Sequence, residues 1–259
     1  MKRISLTLAF IAATVSPALA APISPLAIYT FENGLVTDDS GNGNTGTDLG
    51  GVSLLAGAGH DGGTAAQFSA LAGRTGIDTG IDINRGVLAE MTMGAWVNLT
   101  SLTGIPKVLS HDDFGYDRSL GVDYRGDDPG VGFAAFTGSY VADAPGTATT
   151  GSWVHLAVVY SGASSALYLN GSAAASFTDL SAANDSVFNL HIGTNPGFNE
   201  DWIGLVDDVF VYGRALSASD IGDIYANGFG AAPIPLPAGL PLLLAGLGGL
   251  ALVRRKKRC

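Results

Sequence analysis

The sequence predicts an all-β sandwich of two antiparallel sheets with one short helix near its C-terminal end. Three observations carry this. Glycine supplies 37 of the 259 residues, a density that suits many tight turns and is costly inside helices. Short apolar or alternating runs bounded by Gly, Asn and Asp recur from Leu26 to Tyr212, as expected of strands joined by turns. The one helical signal with both ends defined comes late, after Ser217.

Taken in order, the chain opens on Met1-Lys2-Arg3, an apolar run from Ile4 to Val15, and Ala18-Leu19-Ala20. A positive start, an apolar stretch and a small-x-small site make a secretory signal peptide over residues 1–20, implying export by the Sec machinery and removal by signal peptidase. Residues 21–228 show no fixed repeat and no internal linker, so one domain is expected.

Strand-like runs in this body are Leu26 to Glu32, Ala65 to Phe68, Met91 to Leu99, Lys107 to Ser110, Ser119 to Tyr124, Val131 to Phe136, Trp153 to Tyr160, Ala166 to Leu169, Phe188 to Ile192 and Ile203 to Tyr212. In Met91 to Leu99 every odd position is apolar, the pattern of a strand with one face in a core. Trp96, Trp153 and His155 sit inside such runs and are expected in the core. Asn170-Gly171 predicts a two-residue hairpin turn, because both residues tolerate positive φ. Ser217-Ala218-Ser219-Asp220 predicts a capped helix start, and Asn227-Gly228 its stop.

After a tether at 229–233, Ile234 to Val253 is a 20-residue stretch without charge, followed by Arg254-Arg255-Lys256-Lys257-Arg258. As a helix it measures about 30 Å, enough to cross a bilayer, and the basic cluster places its end in the cytoplasm. Ile234-Pro235-Leu236-Pro237-Ala238, the apolar span and the basic end together resemble the PEP-CTERM sorting signals in their proline-leucine-proline-alanine variant. That resemblance, over residues 234–259, implies processing by an exosortase at the inner membrane of a Gram-negative bacterium, followed by display at the cell surface or in the extracellular matrix.

The body carries its own signatures. They are Tyr29-Thr30-Phe31-Glu32 followed by Asp39-Ser40-Gly41-Asn42-Gly43-Asn44, then Met93-Gly94-Ala95-Trp96-Val97, then Trp153 to Tyr160 leading to Leu167 to Gly171, and finally Gly204 to Ser217 around Asp207-Asp208. Their order resembles the laminin-G-like members of the concanavalin A-like lectin/glucanase superfamily, whose fold is a jelly-roll sandwich. The resemblance covers most of residues 26 to 228.

Charge narrows the function. The net charge is −10, but seven of the thirteen basic residues lie in the two end segments, leaving six basic against 23 acidic residues, a net −17, in the middle. So acidic a surface repels nucleic acid and anionic membrane. It suits a soluble domain that meets divalent cations or neutral glycans. Cys259 is the only cysteine, so the exported body holds no disulfide.

Asp39, Asn42 and Asn44 form an oxygen-rich loop, and calcium takes six to eight oxygen ligands. The family resemblance implies calcium joining this loop to Asp207 or Asp208. The bland alternative is a turn held by side-chain to main-chain hydrogen bonds. Strand alternation predicts that Asp207 and Asp208 point to opposite faces.

A second candidate lies in the stretch from His111 to Asp128, rich in acids, aromatics and arginines. His111, Asp113, Tyr116, Arg118, Tyr124 and Arg125, helped by Phe198, Asn199 and Trp202, could form a glycan site, since aromatic rings stack on sugar faces and charged groups hydrogen-bond hydroxyls. The alternative is a solvated loop with internal ion pairs. His60, His111, His155 and His191 lack zinc-site spacing.

Catalysis finds no motif. Glu32, Glu90 and Glu200 are the only glutamates, none with a second acid two or four residues on, whereas retaining glycosidases need two carboxylates about 5 Å apart. No Gly-x-Ser-x-Gly elbow occurs. The expectation is a non-enzymatic, calcium-stabilised surface binding or adhesion protein that meets polysaccharide or matrix protein. The alternatives are a hydrolase or lyase of the same fold, and a structural spacer.

Overall fold

The structure is a computed structural model that describes residues 24–229 apart from 70–74, 115–116, 125–130, 139, 163, 179–185 and 199. The signal peptide at 1–20, the tether from 230 and the sorting tail at 234–259 lie outside the described residues. No helix among the described residues is long and apolar enough to cross a membrane.

Fifteen strands and one helix follow in order among the described residues: β1 (Ala27–Tyr29), β2 (Thr47–Gly50), β3 (Val52–Ala56), β4 (Thr64–Phe68), β5 (Gly76–Asp78), β6 (Met91–Leu99), β7 (Lys107–Ser110), β8 (Ser119–Asp123), β9 (Gly132–Thr137), β10 (Tyr140–Ala144), β11 (Val154–Tyr160), β12 (Ser164–Leu169), β13 (Ser172–Thr178), β14 (His191–Ile192), β15 (Gly204–Tyr212) and α1 (Ala218–Asn227). One sheet runs β13-β12-β11-β6-β15-β4-β3, with β1 added along β15, and the other runs β10-β9-β8-β7-β14-β5-β2. All these pairings are antiparallel. This is the expected two-sheet jelly-roll sandwich with one short helix.

The core lies between the sheets. Met91, Met93, Ala95, Val97 and Leu99 of β6 and Leu156, Val158 and Tyr160 of β11 meet Leu120 and Val122 of β8 and Phe133 and Ala135 of β9, the period-2 pattern read from the sequence. Tyr160 crosses the gap, its hydroxyl donating to the carbonyl of Phe136 at 2.9 Å and contacting that of Ser119 at 3.3 Å. A buried phenol thus finds its partners on the opposite sheet.

The hairpin between β12 and β13 turns at Asn170 (φ 47°) and Gly171 (φ 76°), as its sequence requires. Helix α1 starts at a capping box in which Ser217 accepts from the Asp220 amide and the Asp220 side chain accepts from the Ser217 amide, and it ends at Gly228 with φ 64°. Ser217→Ala is expected to cost about 1 kcal/mol of unfolding free energy, read by urea denaturation.

The helix packs on the outer side of the first sheet, which corrects the expectation for Trp96. Its neighbours Ala95 and Val97 enter the core, so Trp96 faces outward, half-buried. There it stacks with Tyr225 of α1 at 5.4 Å and with His60 at 4.3 Å. Trp153 is also half-buried, edge-on to His60 at 6.3 Å. His155 is buried on this same side, stacked on Phe210 at 5.7 Å. A Cβ on Gly94, between these rows, would overlap the Phe210 ring and stand 2.5 Å from the Leu156 carbonyl oxygen.

Candidate functional site

Strand β15 is interrupted where the chemistry lies. Its pairing with β6 shifts register between Asp207 and Phe210. On its other edge β4 pairs with Gly204–Val206 and β1 with Val209–Val211. Asp207 and Asp208 fall in the gap between these partners, and Asp208 adopts the left-handed conformation with φ 46°. Such a bulge re-aims side chains. The strict alternation expected for this pair therefore does not hold: Asp207 Oδ2 accepts the His60 amide at 3.0 Å, and Asp208 Oδ2 lies 2.8 Å from His60 Nε2.

Other carboxylates gather here. Glu32 accepts from the Thr64 amide, and from its hydroxyl at 3.2 Å. Asp61 and Asp39 also lie within electrostatic reach of Asp208. Burial, reinforced by Asp207, Asp61, Glu32 and Asp39, pushes the Asp208 carboxyl up to about 7, and burial pushes Asp207 up to about 6. Among the described residues no lysine or arginine ion pair offsets these charges, and the contact Asp208 makes there is the one with the His60 imidazole. His60 itself is driven toward its neutral form by burial.

Five carboxylates, Glu32, Asp39, Asp61, Asp207 and Asp208, thus share one electrostatic field at the bulge. No three His, Cys, Asp or Glu side chains among the described residues form a metal cage by themselves, so a cation would also draw on carbonyls and water.

The loop at 38–44 is held largely by hydrogen bonds. Asp39 Oδ2 accepts the Thr30 amide at 3.1 Å and hydroxyl at 2.6 Å, and Asp39 Oδ1 accepts from Asn33 at 2.9 Å. The Asn42 side-chain amide donates to the Pro25 carbonyl at 2.9 Å, and that of Asn44 to the Leu26 carbonyl at 2.8 Å. Asp38 takes the amides of Ile28, Ser40 and Asn44. Burial acts to raise its carboxyl, but these bonds and the Ser40 hydroxyl hold it below the usual range. The structure thus puts Asp39 within electrostatic reach of Asp208, while the amide groups of Asn42 and Asn44 tie the loop to Pro25 and Leu26.

The second candidate divides. At one end of the sandwich three loops are tied together: the Val187 amide donates to Asp113 Oδ2 at 2.8 Å, and the Gly197 amide to the Asp112 carbonyl at 3.1 Å. Gly197 packs so closely that a Cβ there would stand 2.7 Å from that carbonyl oxygen. Beneath, Asn195 donates to Glu200 Oε2 at 2.8 Å and lies 3.4 Å from Asp112 Oδ2, the Asp117 amide reaches Asp112 Oδ1 at 3.3 Å, and the Asp113 amide reaches Asp117 Oδ2 at 3.3 Å. Burial, with Asp112 and Asp113 adding to it, pushes Asp117 up to about 7, and burial also raises Asp112. Above them Phe114 is 77% exposed, Val187 85% and Phe198 45%.

Asp113 and Phe198 belong to this tip; Arg118, Trp202, His111 and Tyr124, also expected in the glycan site, do not present a surface there. Arg118 is buried, its guanidinium donating to the carbonyls of Ile83, Leu88 and Ala89 and lying over the Tyr160 ring at 5.0 Å. Trp202 is fully buried in the core cluster. His111 is buried, and that burial, with Arg118 beside it, holds its imidazole down to about 4 and therefore neutral near pH 7. Tyr124 is exposed but follows the far end of β8, roughly 17 Å of strand from the tip. The physical reason is strand direction: alternation sends Arg118 between the sheets, and β8 carries Tyr124 away. Tyr116, Arg125 and Asn199, with Asp127 and Asp128, lie outside the described residues.

Sequence reasoning missed Glu32 and Asp61 at the bulge and Phe114, Val187, Asn195 and Glu200 at the tip. His60-Asp61-Gly62-Gly63 is rich in turn-forming residues, but nothing local in it announces that it meets β15.

Comparison with known proteins fits this architecture. The model of the concanavalin A-like lectin/glucanases superfamily matches residues 74–222. Among solved structures, domain 4 of AbnA, a GH43 extracellular arabinanase from Geobacillus stearothermophilus in complex with arabinotriose, is similar with a TM-score of 0.60 and 22% identity over 79% of this chain and 100% of that one. The binding domain of Paraclostridial Mosquitocidal Protein 1 gives 0.54 and 15%, over 73% of this chain and 48% of that one. The botulinum neurotoxin serotype D binding domain gives 0.54 and 13%, over 78% and 51%. This chain spans about half the length of those two, and all three likenesses concern the fold. No curated protein matches the sequence. With a family model covering more than half of its length and the two-sheet sandwich to accommodate it, this chain belongs to the concanavalin A-like lectin/glucanase superfamily.

Proposed function

We propose that this protein is a non-enzymatic binding or adhesion module of the bacterial cell envelope, stabilised by calcium at the Asp207–Asp208 bulge and presenting the Asp113 loop tip to extracellular polysaccharide. It is exported by the signal peptide at 1–20 and sorted by an exosortase through the PEP-CTERM-type tail at 234–259. The observation that carries the binding role is the tip itself, where Phe114, Val187 and Phe198 stand exposed over interleaved carboxylates. Exposed rings beside hydrogen-bonding acids are what sugar recognition uses. The superfamily and the binding-domain character of its structural neighbours support the same reading.

In the proposed calcium site Asp207, Asp208, Glu32, Asp61 and Asp39 supply the charge, and the cation would relieve their mutual repulsion. Asp117, held up to about 7, is the residue that a hydrolase reading would claim as its acid. It and Asp112 are buried beneath the tip, which favours binding over turnover.

A glycan array probed with the full-length protein, with calcium or with chelator, tests the role. Binding that Phe114→Ala and Phe198→Ala together weaken by about tenfold is expected, from stacking of about 0.5–1.5 kcal/mol per ring. Absence of any glycan binding overturns it, and release of reducing sugar from polysaccharide turns it into the hydrolase. Mass spectrometry of the cell-surface form is expected to find a C-terminus near Ala238. An intact Cys259 there would sink the sorting step.

A further inference from the structure

We infer that the loop tip selects polysaccharide bearing protonated amino groups over neutral N-acetylated chains and over uronic-acid chains. The inference rests on the glycan-binding reading above and adds the ligand's charge. The tip presents apolar side chains at fixed places: Phe114 follows Asp113, whose carboxylate accepts the amide of Val187, and Phe198 follows Gly197, whose amide donates to the Asp112 carbonyl. Successive Cα atoms stand about 3.8 Å apart, so stitching at Asp112, Asp113 and Gly197 holds the two rings on adjoining loops.

The polar groups beneath are acceptors. Asp112, Asp113, Asp117 and Glu200 gather there, and among the described residues their side chains accept from amide groups: the main chain at Asp117, Asp113 and Val187, and the Asn195 side chain. Asp117 is fully buried, and among the described residues its Oδ1 accepts no hydrogen bond while Oδ2 takes the Asp113 amide. Arg118 donates to the carbonyls of Ile83, Leu88 and Ala89, and Lys107 to those of Ile105 and Val122, with the Lys107 charge also within reach of the buried Asp112.

Asp112 and Asp117 lie buried, where burial favours their protonated forms, so the carboxylates that can meet a ligand at the tip are those of the half-buried Asp113 and Glu200, and they call for a ligand that supplies donors and positive charge. Sugar hydroxyls donate but leave the charge in place. A uronate adds to the repulsion, and the middle of the chain at −17 repels it further. An ammonium group on a pyranose ring donates three hydrogen bonds, offsets the carboxylates and leaves the ring face to Phe114 and Phe198. A basic peptide shares the charge but not the rigid apolar faces.

The test is binding of size-matched oligomers of glucosamine, N-acetylglucosamine and galacturonate, and of an oligolysine, to the immobilised full-length protein at mildly acidic pH. The glucosamine oligomer is expected to bind at least about tenfold tighter than the N-acetylated one, a difference of about 1.4 kcal/mol, with galacturonate not bound. Asp113→Asn should weaken glucosamine binding about fivefold, the scale of a partly exposed ion pair. Asp223→Asn, an equal change of charge on the exposed side of α1, should leave it alone.

Equal binding of the N-acetylated oligomer overturns the amine selectivity while the glycan role stands. Equal losses for Asp113→Asn and Asp223→Asn, or oligolysine binding as tightly with Phe114→Ala and Phe198→Ala without effect, reduce the attraction to bulk charge and overturn it as well. Failure of every oligomer overturns both readings.

Discussion

Trp202→Ala is expected to cost about 3–5 kcal/mol of unfolding free energy, the range for truncating a large buried aromatic. The side chain is fully buried among the core residues, and its main-chain amide donates to the Gly193 carbonyl at 2.9 Å, tying the end of the late loop to β14. The indole nitrogen makes no hydrogen bond among the described residues, so Trp202→Phe loses volume without orphaning a polar partner and should cost clearly less. Phe114→Ala, at an exposed ring, should change stability by no more than about 0.5 kcal/mol. Urea denaturation of the three variants ranks them. A near-silent Trp202→Ala that abolished glycan binding would return this residue to the surface role its sequence suggested.

The second large effect is electrostatic. In calcium-free buffer Asp208→Asn is expected to stabilise the protein progressively as pH rises from about 4 to 8, reaching on the order of 2–4 kcal/mol. The sign follows from the direction of the shift. The folded carboxyl sits at about 7 against an ordinary value of 3.8, so its protonated form is favoured by folding. That contribution is fully present below the unfolded value and is lost as pH rises through the folded one. Asparagine carries no charge to lose. Asp117→Asn should behave alike, since Asp117 is also raised to about 7.

The parent protein itself need not show a simple slope, because His111 and His155, both held down to about 4 by burial, contribute the opposite way: their stability is present above the unfolded value and lost as pH falls through the folded one. The comparison of variant with parent isolates the carboxyl. Excess calcium should raise the parent's melting temperature and erase the Asp208→Asn advantage, while the Asp117→Asn advantage persists. If calcium protects both variants and the parent equally, the bulge is not where it binds.

Sequence legibility followed burial. The runs recognised as strands, such as Met91–Leu99 and Val154–Tyr160, are those whose alternate residues enter the core. Five strands escaped: β2, β3, β5, β10 and β13. Four of these are the outermost strands of the two sheets, and those such as Val52–Ala56 and Ser172–Thr178 are exposed along most of their length. An edge strand pairs on one side and need not alternate, so its hydrophobic signal is weak. The Asn170-Gly171 turn and the Ser217–Asp220 cap were legible because their chemistry is local.

The sites were legible only as composition. Asp39, Asp207 and Asp208 could be named from their motifs, and the stretch from His111 onward from its density of functional groups. Which acids share one field was decided by a bulge in β15 and by a turn 147 residues away in sequence at His60. Which side chains reach solvent was decided by how the loops fold back on the sheets, which buried Arg118 and Trp202 and left Phe114, Val187 and Phe198 outside.

By itself, then, the sequence determined the sandwich, its one capped helix, the tight hairpin and the acidity of the body, because periodicity, capping and charge act between near neighbours. Only the tertiary structure decided the edge strands, the company that Asp208 keeps and the face that the tip shows to solvent. Those depend on pairings between segments far apart in the chain, and a hydrogen bond or a shared electrostatic field between such segments leaves no trace in either one alone.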